Sequence, residues 1–421
     1  MSLARAVAQL MSCGRWLGLL AVLGAPGAQA VTQEIRALFT PDPANPQNNS
    51  FINKTPESGY CLDNPVECRN NKTFSIRLPI TFRSVTAIQP GAIEREGPMF
   101  RTPAQWRALT VTNTQTGESE QVEFRIAGIG SQYVLSDTAA NLTGAASALE
   151  GHQNLWGGPG HSWVYAPANC QYSGVGFYGD SYYRFFWKTP TPSICAKTAS
   201  FLIPEMSYNY LDFAYELRTP NPLGMSSGQY TGTMSYRIGS GGDFDMGDNM
   251  QPDDPDLTLD FVLDVQHTLK VDIPPGGEKV QLVPAGGWQS WLQAGRKPVR
   301  LFRDQTFHIS VSSRFKMHLI CEISGLYDCM IRDPVSQRAA AVTVAVSLPK
   351  GLMDLQGQPV ERRPLRLGQN NAQQFQPGIY VDRGPGILHF EISPSYVDYI
   401  TRPGVASSYS GDITVIWDSE V

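Results

Sequence analysis

Residues 257–273 read LTLDFVLDVQHTLKVDI. Leu257, Leu259, Phe261, Leu263 and Val265 occupy every second position, and after His267 the alternation resumes at Leu269, Val271 and Ile273. A period of two places one set of side chains on one face of an extended strand, whereas a helix would scatter it around the axis. The stretch therefore predicts β-strand, half on a core and half in water. His267 interrupts the apolar face and reads as a hydrogen-bonded core histidine.

The same period recurs in both directions. Phe74, Ile76, Leu78, Ile80 and Phe82 alternate, as do Val122, Phe124 and Ile126, and Met234, Tyr236 and Ile238. Further on, Phe307, Ile309, Val311, Phe315, Met317 and Leu319 form one run, with Cys321 on the same face. Val342, Val344, Val346 and Leu348 follow, then Leu388, Phe390 and Ile392, and the chain closes on Ile413, Val415 and Trp417. Sustained 3.6-residue periodicity is missing, and only residues 137–150 are expected to hold a short helix. Gly and Pro number 39 and 31 of 421 residues, a frequency that interrupts the chain too often for a helical bundle or solenoid. The prediction is all-β: two β-sandwich domains of antiparallel sheets. With a net charge of −5 and no basic block, nucleic acid is a poor partner, because phosphate neutralisation needs clustered Lys and Arg.

Residues 1–30 read as a signal peptide. Arg5 and Arg15 supply positive charge, residues 16–23 are apolar, and Ala28-Gln29-Ala30 is an A-x-A cleavage signal. A lipoprotein reading at Cys13 fits less well, since the apolar run follows that cysteine. No later stretch approaches the roughly 18 apolar residues of a membrane helix. The expected mature chain begins at Val31 and is exported without a membrane span. Six cysteines remain, in three local pairs: Cys61 with Cys68, Cys170 with Cys195, Cys321 with Cys329. Fifteen connectivities are formally open, and pairing between neighbours in an oxidising compartment is the expectation. Sequons at Asn48, Asn53, Asn71 and Asn141 do not decide between eukaryotic secretion and a bacterial periplasm.

The sharpest shift in composition is GSGGDFDMGDNMQPDDPD, residues 239–256. It reads as a boundary, giving domains at 31–240 and 257–421 joined by a linker at 241–256. Asp243, Asp245 and Asp248 loosely suggest a calcium loop, but an EF-hand needs glycine at the sixth position, where Asp248 stands. Solvated linker is the preferred reading, and no metal or cofactor is expected. Six histidines, at 152, 161, 267, 308, 318 and 389, fall outside any ligand motif, and no nucleophile elbow or phosphate loop is present. A pair of glycosidase carboxylates cannot be read from a linear sequence, so a secreted carbohydrate-active enzyme stays open as a rival.

Between Cys170 and Cys195 lies an aromatic run, CQYSGVGFYGDSYYRFFWKTPTPSIC. If residues 182–188 form a strand, Tyr183, Phe185 and Trp187 share a purely aromatic face suited to a core. Tyr182, Arg184, Phe186 and Lys188 share the other. That second face has two readings: a site for an acidic saccharide, by stacking and charge-assisted bonds, or a solvated face with extended cations. Trp156 and Trp163 surround Gly157-Gly158-Pro159-Gly160 and read as loop aromatics of a recognition surface.

Three stretches carry a resemblance: YCLDNPVEC (60–68) followed by FSIRLPITF (74–82), the aromatic run itself, and the terminal SYSGDITVIWDSEV (408–421). Together with the exported, two-domain β organisation, they resemble the two-domain tip adhesins of bacterial chaperone–usher fimbriae. More narrowly they are similar to the pilus-biogenesis-initiator adhesins of the alternate-chaperone branch. The resemblance implies a non-enzymatic protein with an N-terminal receptor-binding domain and a C-terminal immunoglobulin-like pilin domain lacking one strand. The missing strand would come from a periplasmic chaperone and then, after passage through an outer-membrane usher, from the next pilin subunit. The expected location is the fimbrial tip at the cell surface, and the expected partner is a host-surface or glycan receptor, with an acidic glycan as one reading. Arg184 best matches the receptor-site arginine of such adhesins, with Lys188 and Arg77 as looser companions. The alternating segments after residue 257 number six, too few for a closed seven-strand sandwich. Ile413, Val415 and Trp417 mark the expected edge, and Gly411 allows a close backbone approach. A free-standing β-sandwich lectin is the second rival.

Overall fold

The computed structural model describes residues 31–294, 297–402 and 408–419, so the signal peptide expected at 1–30 lies outside the described residues. Two apolar cores organise these residues, and the chain passes from one to the other once, at residues 266–268.

The first core is built around one long strand, Ser119–Leu135. Its first half pairs antiparallel with Arg107–Asn113, its middle with Leu211–Arg218, and its second half with Tyr182–Lys188 and Met206–Tyr208. Val122, Phe124 and Ile126 point into the core, as their alternation predicts. Gly130 lies opposite Phe186, and a Cβ there would come within 2.5 Å of the Phe185 carbonyl oxygen, so only glycine lets the two strands meet so closely. The sheet continues through Gly228–Arg237 to Asp256–Val265, and Val31–Phe39 joins the latter in parallel over its whole length. Its branches enclose one large core, and a small cluster of Tyr60, Cys61, Cys68, Val175, Phe186 and Ala214 packs apart from it.

This pairing corrects the expected domain boundary. Asp256–Val265 belongs to the first sheet, and Leu257, Leu259, Phe261, Leu263 and Val265 are buried in the first core, not the second. Residues 241–256 are not a solvated linker either. Phe244, Met246 and Met250 are buried in the same core, and the buried Asp245 carboxylate pairs with Arg95 at 3.1 Å and Arg101 at 3.5 Å. The Gly- and Asp-rich composition is that of a pinned loop whose charged partners lie some 150 residues away.

The second core is a sandwich. One sheet orders Leu269–Asp272, Leu301–Val311, Val381–Ile392, Ala339–Ser347 and Cys329–Arg332. The other orders Leu352–Asp354, Gln373–Pro377, Phe315–Cys321 and Ile413–Ser419. Phe307, Ile309, Val342, Val344 and Phe390 of the first sheet face Phe315, Met317, Leu319 and Phe375 of the second. His267 sits at the junction, Nε2 2.9 Å from the Met225 carbonyl of the first domain and Nδ1 3.0 Å from Ser312 Oγ of the second.

Helices are short. Residues 137–150 hold Ala139–Thr143 and the start of Ala148–Leu155, capped by the side chains of Thr138 and Ser147. Four others, Tyr60–Asp63, Pro65–Asn71, Gly287–Ala294 and Pro394–Ile400, are too brief to leave a periodic signal. No helix among the described residues is long and apolar enough to cross a membrane.

Candidate functional site

Strands Gln171–Tyr178 and Tyr182–Lys188 form a hairpin at the margin of the first sheet. Tyr183, Phe185 and Trp187 are buried, the aromatic core face predicted by their spacing. The neighbouring strand presents the opposite character: Tyr172 and Phe177 are 59% and 63% exposed, with Tyr178 and Tyr182 also at the surface. Tyr165 stacks on Tyr172 at 6.2 Å, and the Arg184 guanidinium lies 5.9 Å from the Phe177 ring. These outward rings were in the aromatic run, but their exposure depends on the hairpin's marginal position, which no local pattern reveals.

The cations of the second face are all partnered. Residues 60–71 fold into two helical turns closed by the Cys61–Cys68 disulfide and lie across the hairpin. Tyr60 stacks flat on Phe186, centroids 4.1 Å apart, which explains why Phe186 is buried on a face expected to be wet. From the same flap Asp63 accepts a bond from Arg184, and Glu67 accepts one from Lys188. Glu67 Oε2 also accepts from the Tyr60 hydroxyl at 2.8 Å, and these bonds hold its carboxyl below the ordinary value. Arg77 bonds Asp212 at 2.9 Å while its guanidinium lies 4.1 Å from the Tyr210 ring. Burial pushes the Asp212 carboxyl up, against the pull of Arg77. The structure thus brings Arg77, Arg184 and Lys188 to one surface, but as ion pairs. The free basic face that an acidic receptor would need is neutralised by the flap.

Trp156 and Trp163 are not surface aromatics. Trp163 is fully buried among Tyr133, Phe185, Trp187 and Trp156, with centroids between 4.5 and 5.1 Å. Trp156 Nε1 donates to the Tyr133 hydroxyl at 3.1 Å; that oxygen lies 2.7 Å from His152 Nδ1, and His152 Nε2 lies 2.8 Å from the Gly179 carbonyl. The Gly-Pro turn between the tryptophans resembles a loop locally, yet both rings fold inward from it.

All three disulfides join sequence neighbours: Cys61–Cys68, Cys170–Cys195 and Cys321–Cys329. Among the described residues no group of three His, Cys, Asp or Glu side chains could hold a metal ion.

A second candidate site lies in the C-terminal sandwich. Ile413–Ser419 pairs along its whole length with Phe315–Cys321 and ends its sheet, so among the described residues its outer edge has no strand partner. Beside that edge opens a groove of about 930 Å³, lined by Ile413, Val415 and Trp417 on one side and by Leu388, Phe390 and Ile392 on the other. Trp288 of the helix Gly287–Ala294 also lines it. Phe307 meets Trp417 there, ring centroids 5.7 Å apart. Ile413, Val415 and Trp417 stay only partly buried, although Val342 and Val344 across the sandwich are sealed. The Trp417 indole N–H and the Tyr409 hydroxyl are buried in the groove lining without a hydrogen-bond partner. Gly411 also lines the groove, where a Cβ would lie 3.1 Å from the Met330 carbonyl oxygen.

No family model matches this chain, and no curated protein is similar to it in sequence. Similar solved structures are CfaE, the adhesive subunit of the CFA/I fimbria of enterotoxigenic Escherichia coli, and the CsuC–CsuE chaperone–tip adhesion subunit complex of the archaic Csu pili of Acinetobacter baumannii. CfaE is 8% identical, with 93% of this chain and 94% of that chain covered and a TM-score of 0.28. The Csu chain is 10% identical, with coverage of 92% and 99% and a TM-score of 0.21. At such TM-scores the likeness carries no argument about residues, and the fold rests on the strand pairing described above.

Proposed function

We propose that this chain is a non-enzymatic fimbrial tip adhesin of the chaperone–usher type. Its second domain accepts a β-strand from a periplasmic chaperone and then from the next pilin subunit, and its first domain binds a receptor on another cell. The observation that carries this reading is the groove, part apolar and part polar, beside the edge of Ile413–Ser419, which has no strand partner among the described residues. An open edge with partly exposed Ile413, Val415 and Trp417 is unfavourable in isolation, since unpaired backbone groups and apolar surface both gain by being covered. An added strand answers both needs at once, pairing its backbone with the edge and placing alternate apolar side chains in the groove. The resemblance read in the sequence points the same way. In the first domain, the exposed rings of the hairpin 171–188, with Arg184 among them, are the receptor-binding surface in this reading.

The test is copurification. Tagged protein recovered from a periplasm that carries the matching pilus chaperone should bring the chaperone with it in a one-to-one complex. Val415→Asp, which places a charge in the groove, should abolish the complex. Free, folded protein in both cases would contradict the proposal.

A further inference from the structure

The first domain also contains a cavity beneath its flap. It has a volume of about 290 Å³ and lies between the flap 60–73 and the base of the aromatic hairpin. That size is just below the range of drug-sized ligand sites, roughly 300 to 1,000 Å³. Its apolar floor is the edge of Phe186 with Ala127 and Ala214.

Its polar wall is charged but balanced. Arg125 holds Glu216 with two fork-like bonds, Nη2 to Oε1 at 2.8 Å and Nε to Oε2 at 3.1 Å, and Lys188 pairs with Glu67. Both pairs are half-buried. Two cations therefore meet two carboxylates, and the wall has no net charge. Amides at Asn71 and Gln171 complete it. Thr189, only 3% exposed, also lines the cavity, and its hydroxyl is buried without a hydrogen-bond partner. A buried, unbonded hydroxyl is unfavourable, so such a group beside a cavity signals a missing partner.

We propose that this cavity binds a neutral sugar ring, the terminal hexopyranose of a receptor glycan. The inference rests on the first domain being receptor-binding and names the class of group it takes. A pyranose presents hydroxyls that both donate and accept along its rim and a C–H face on one side. The wall matches the rim: Glu67 and Glu216 accept, Lys188, Arg125 and the two amides donate, and Thr189 supplies the remaining partner. Phe186 and the two alanines match the C–H face. An acidic sugar is disfavoured, because its carboxylate must displace Glu67 or Glu216 from a half-buried cation and leave that acid unpaired.

The experiment is saturation-transfer NMR on the intact chain, with the methyl glycosides of galactose, glucose and mannose and with N-acetylneuraminic acid as probes. At least one neutral glycoside should show saturable binding, and N-acetylneuraminic acid should not. Thr189→Val, which keeps the shape and removes the hydroxyl, should weaken that binding tenfold or more without lowering the melting temperature. Gln171→Ala, at an exposed position, should weaken it too, and guards against loss through misfolding. Binding unchanged in both variants, or binding of N-acetylneuraminic acid sensitive to them, would overturn the proposal. If no neutral probe binds while the chain still adheres to cells, the sugar assignment fails and the adhesin reading stands; if adhesion is lost as well, both fail.

Discussion

Lys197 is the residue whose state depends most plainly on the surrounding rings. It is 8% exposed, donates to the His161 carbonyl at 2.9 Å, and lies 5.9 Å from the Trp187 ring. Burial lowers its pKa from 10.5 to about 8. Between those two values the unfolded chain binds more protons than the folded one, so stability rises with pH across the window, while below about 8 both states are protonated and the penalty is constant. The rise should reach the order of 2 to 3 kcal/mol between pH 8 and 10 in urea unfolding followed by tryptophan fluorescence. Lys197→Met should flatten that rise; an unchanged slope would show that the charge is not buried as described. Arg184→Ala gives the complementary test at the surface. Its pair with Asp63 is partly exposed, so stability should change by no more than about 1 kcal/mol while adhesion to receptor-bearing cells falls. A large loss of stability would make Arg184 a structural residue. Arg184 could be singled out by residue type and alternation, but its partner Asp63, 121 positions away, could not.

At the scale of elements, the disulfide-closed flap is the device that turns a basic strand face into a neutral, walled surface. Replacing Cys61 and Cys68 together by serine should lower the stability of the first domain by roughly 2 to 3 kcal/mol, the usual worth of a short closed loop. It should also expose Phe186, which increased binding of an apolar dye would detect. Trp156→Ala should cost more, about 3 to 5 kcal/mol by thermal unfolding, since it opens a cavity and breaks the bond to Tyr133. The strands themselves were largely legible, because a period of two survives in the sequence whenever one face is buried and the other wet. The Met234, Phe307 and Val342 runs lie in strands as their spacing predicts, except that Ile238 and Leu348 fall one residue past the strand ends. What the sequence concealed was attachment. Residues 241–256 look like a linker because glycine, proline and aspartate dominate, and only Arg95, Arg101 and the buried Phe244 and Met246 make them part of a core. Trp156 and Trp163 depart from the pattern for the converse reason: their neighbours are turn residues, while the rings that enclose them, Tyr133, Phe185 and Trp187, come from the strands Ser119–Leu135 and Tyr182–Lys188.

For the whole molecule, the all-β class and the presence of two domains followed from patterning, but the boundary between them did not. Alternation runs almost unbroken from Leu257 to Ile273, yet the chain changes cores in the middle of it, at His267. A fragment of residues 31–266 should therefore fold to a monomer with native-like tryptophan emission, and one of residues 31–240 should not, because it lacks the strand Asp256–Val265 that joins Gly228–Arg237 to Val31–Phe39. The second domain poses the reverse problem: in the proposed function its sandwich closes only when a strand is added from outside. The most direct measurement is the thermal unfolding of residues 31–421 with and without a donor peptide fused after Val421. The peptide would alternate apolar residues, joined through a short flexible linker. Without the donor the chain should aggregate or melt early; with it, the chain should be a monomer with a melting transition raised by 10 °C or more, and Val415→Asp should cancel the gain. A donor-free chain that is monodisperse and equally stable would contradict the account.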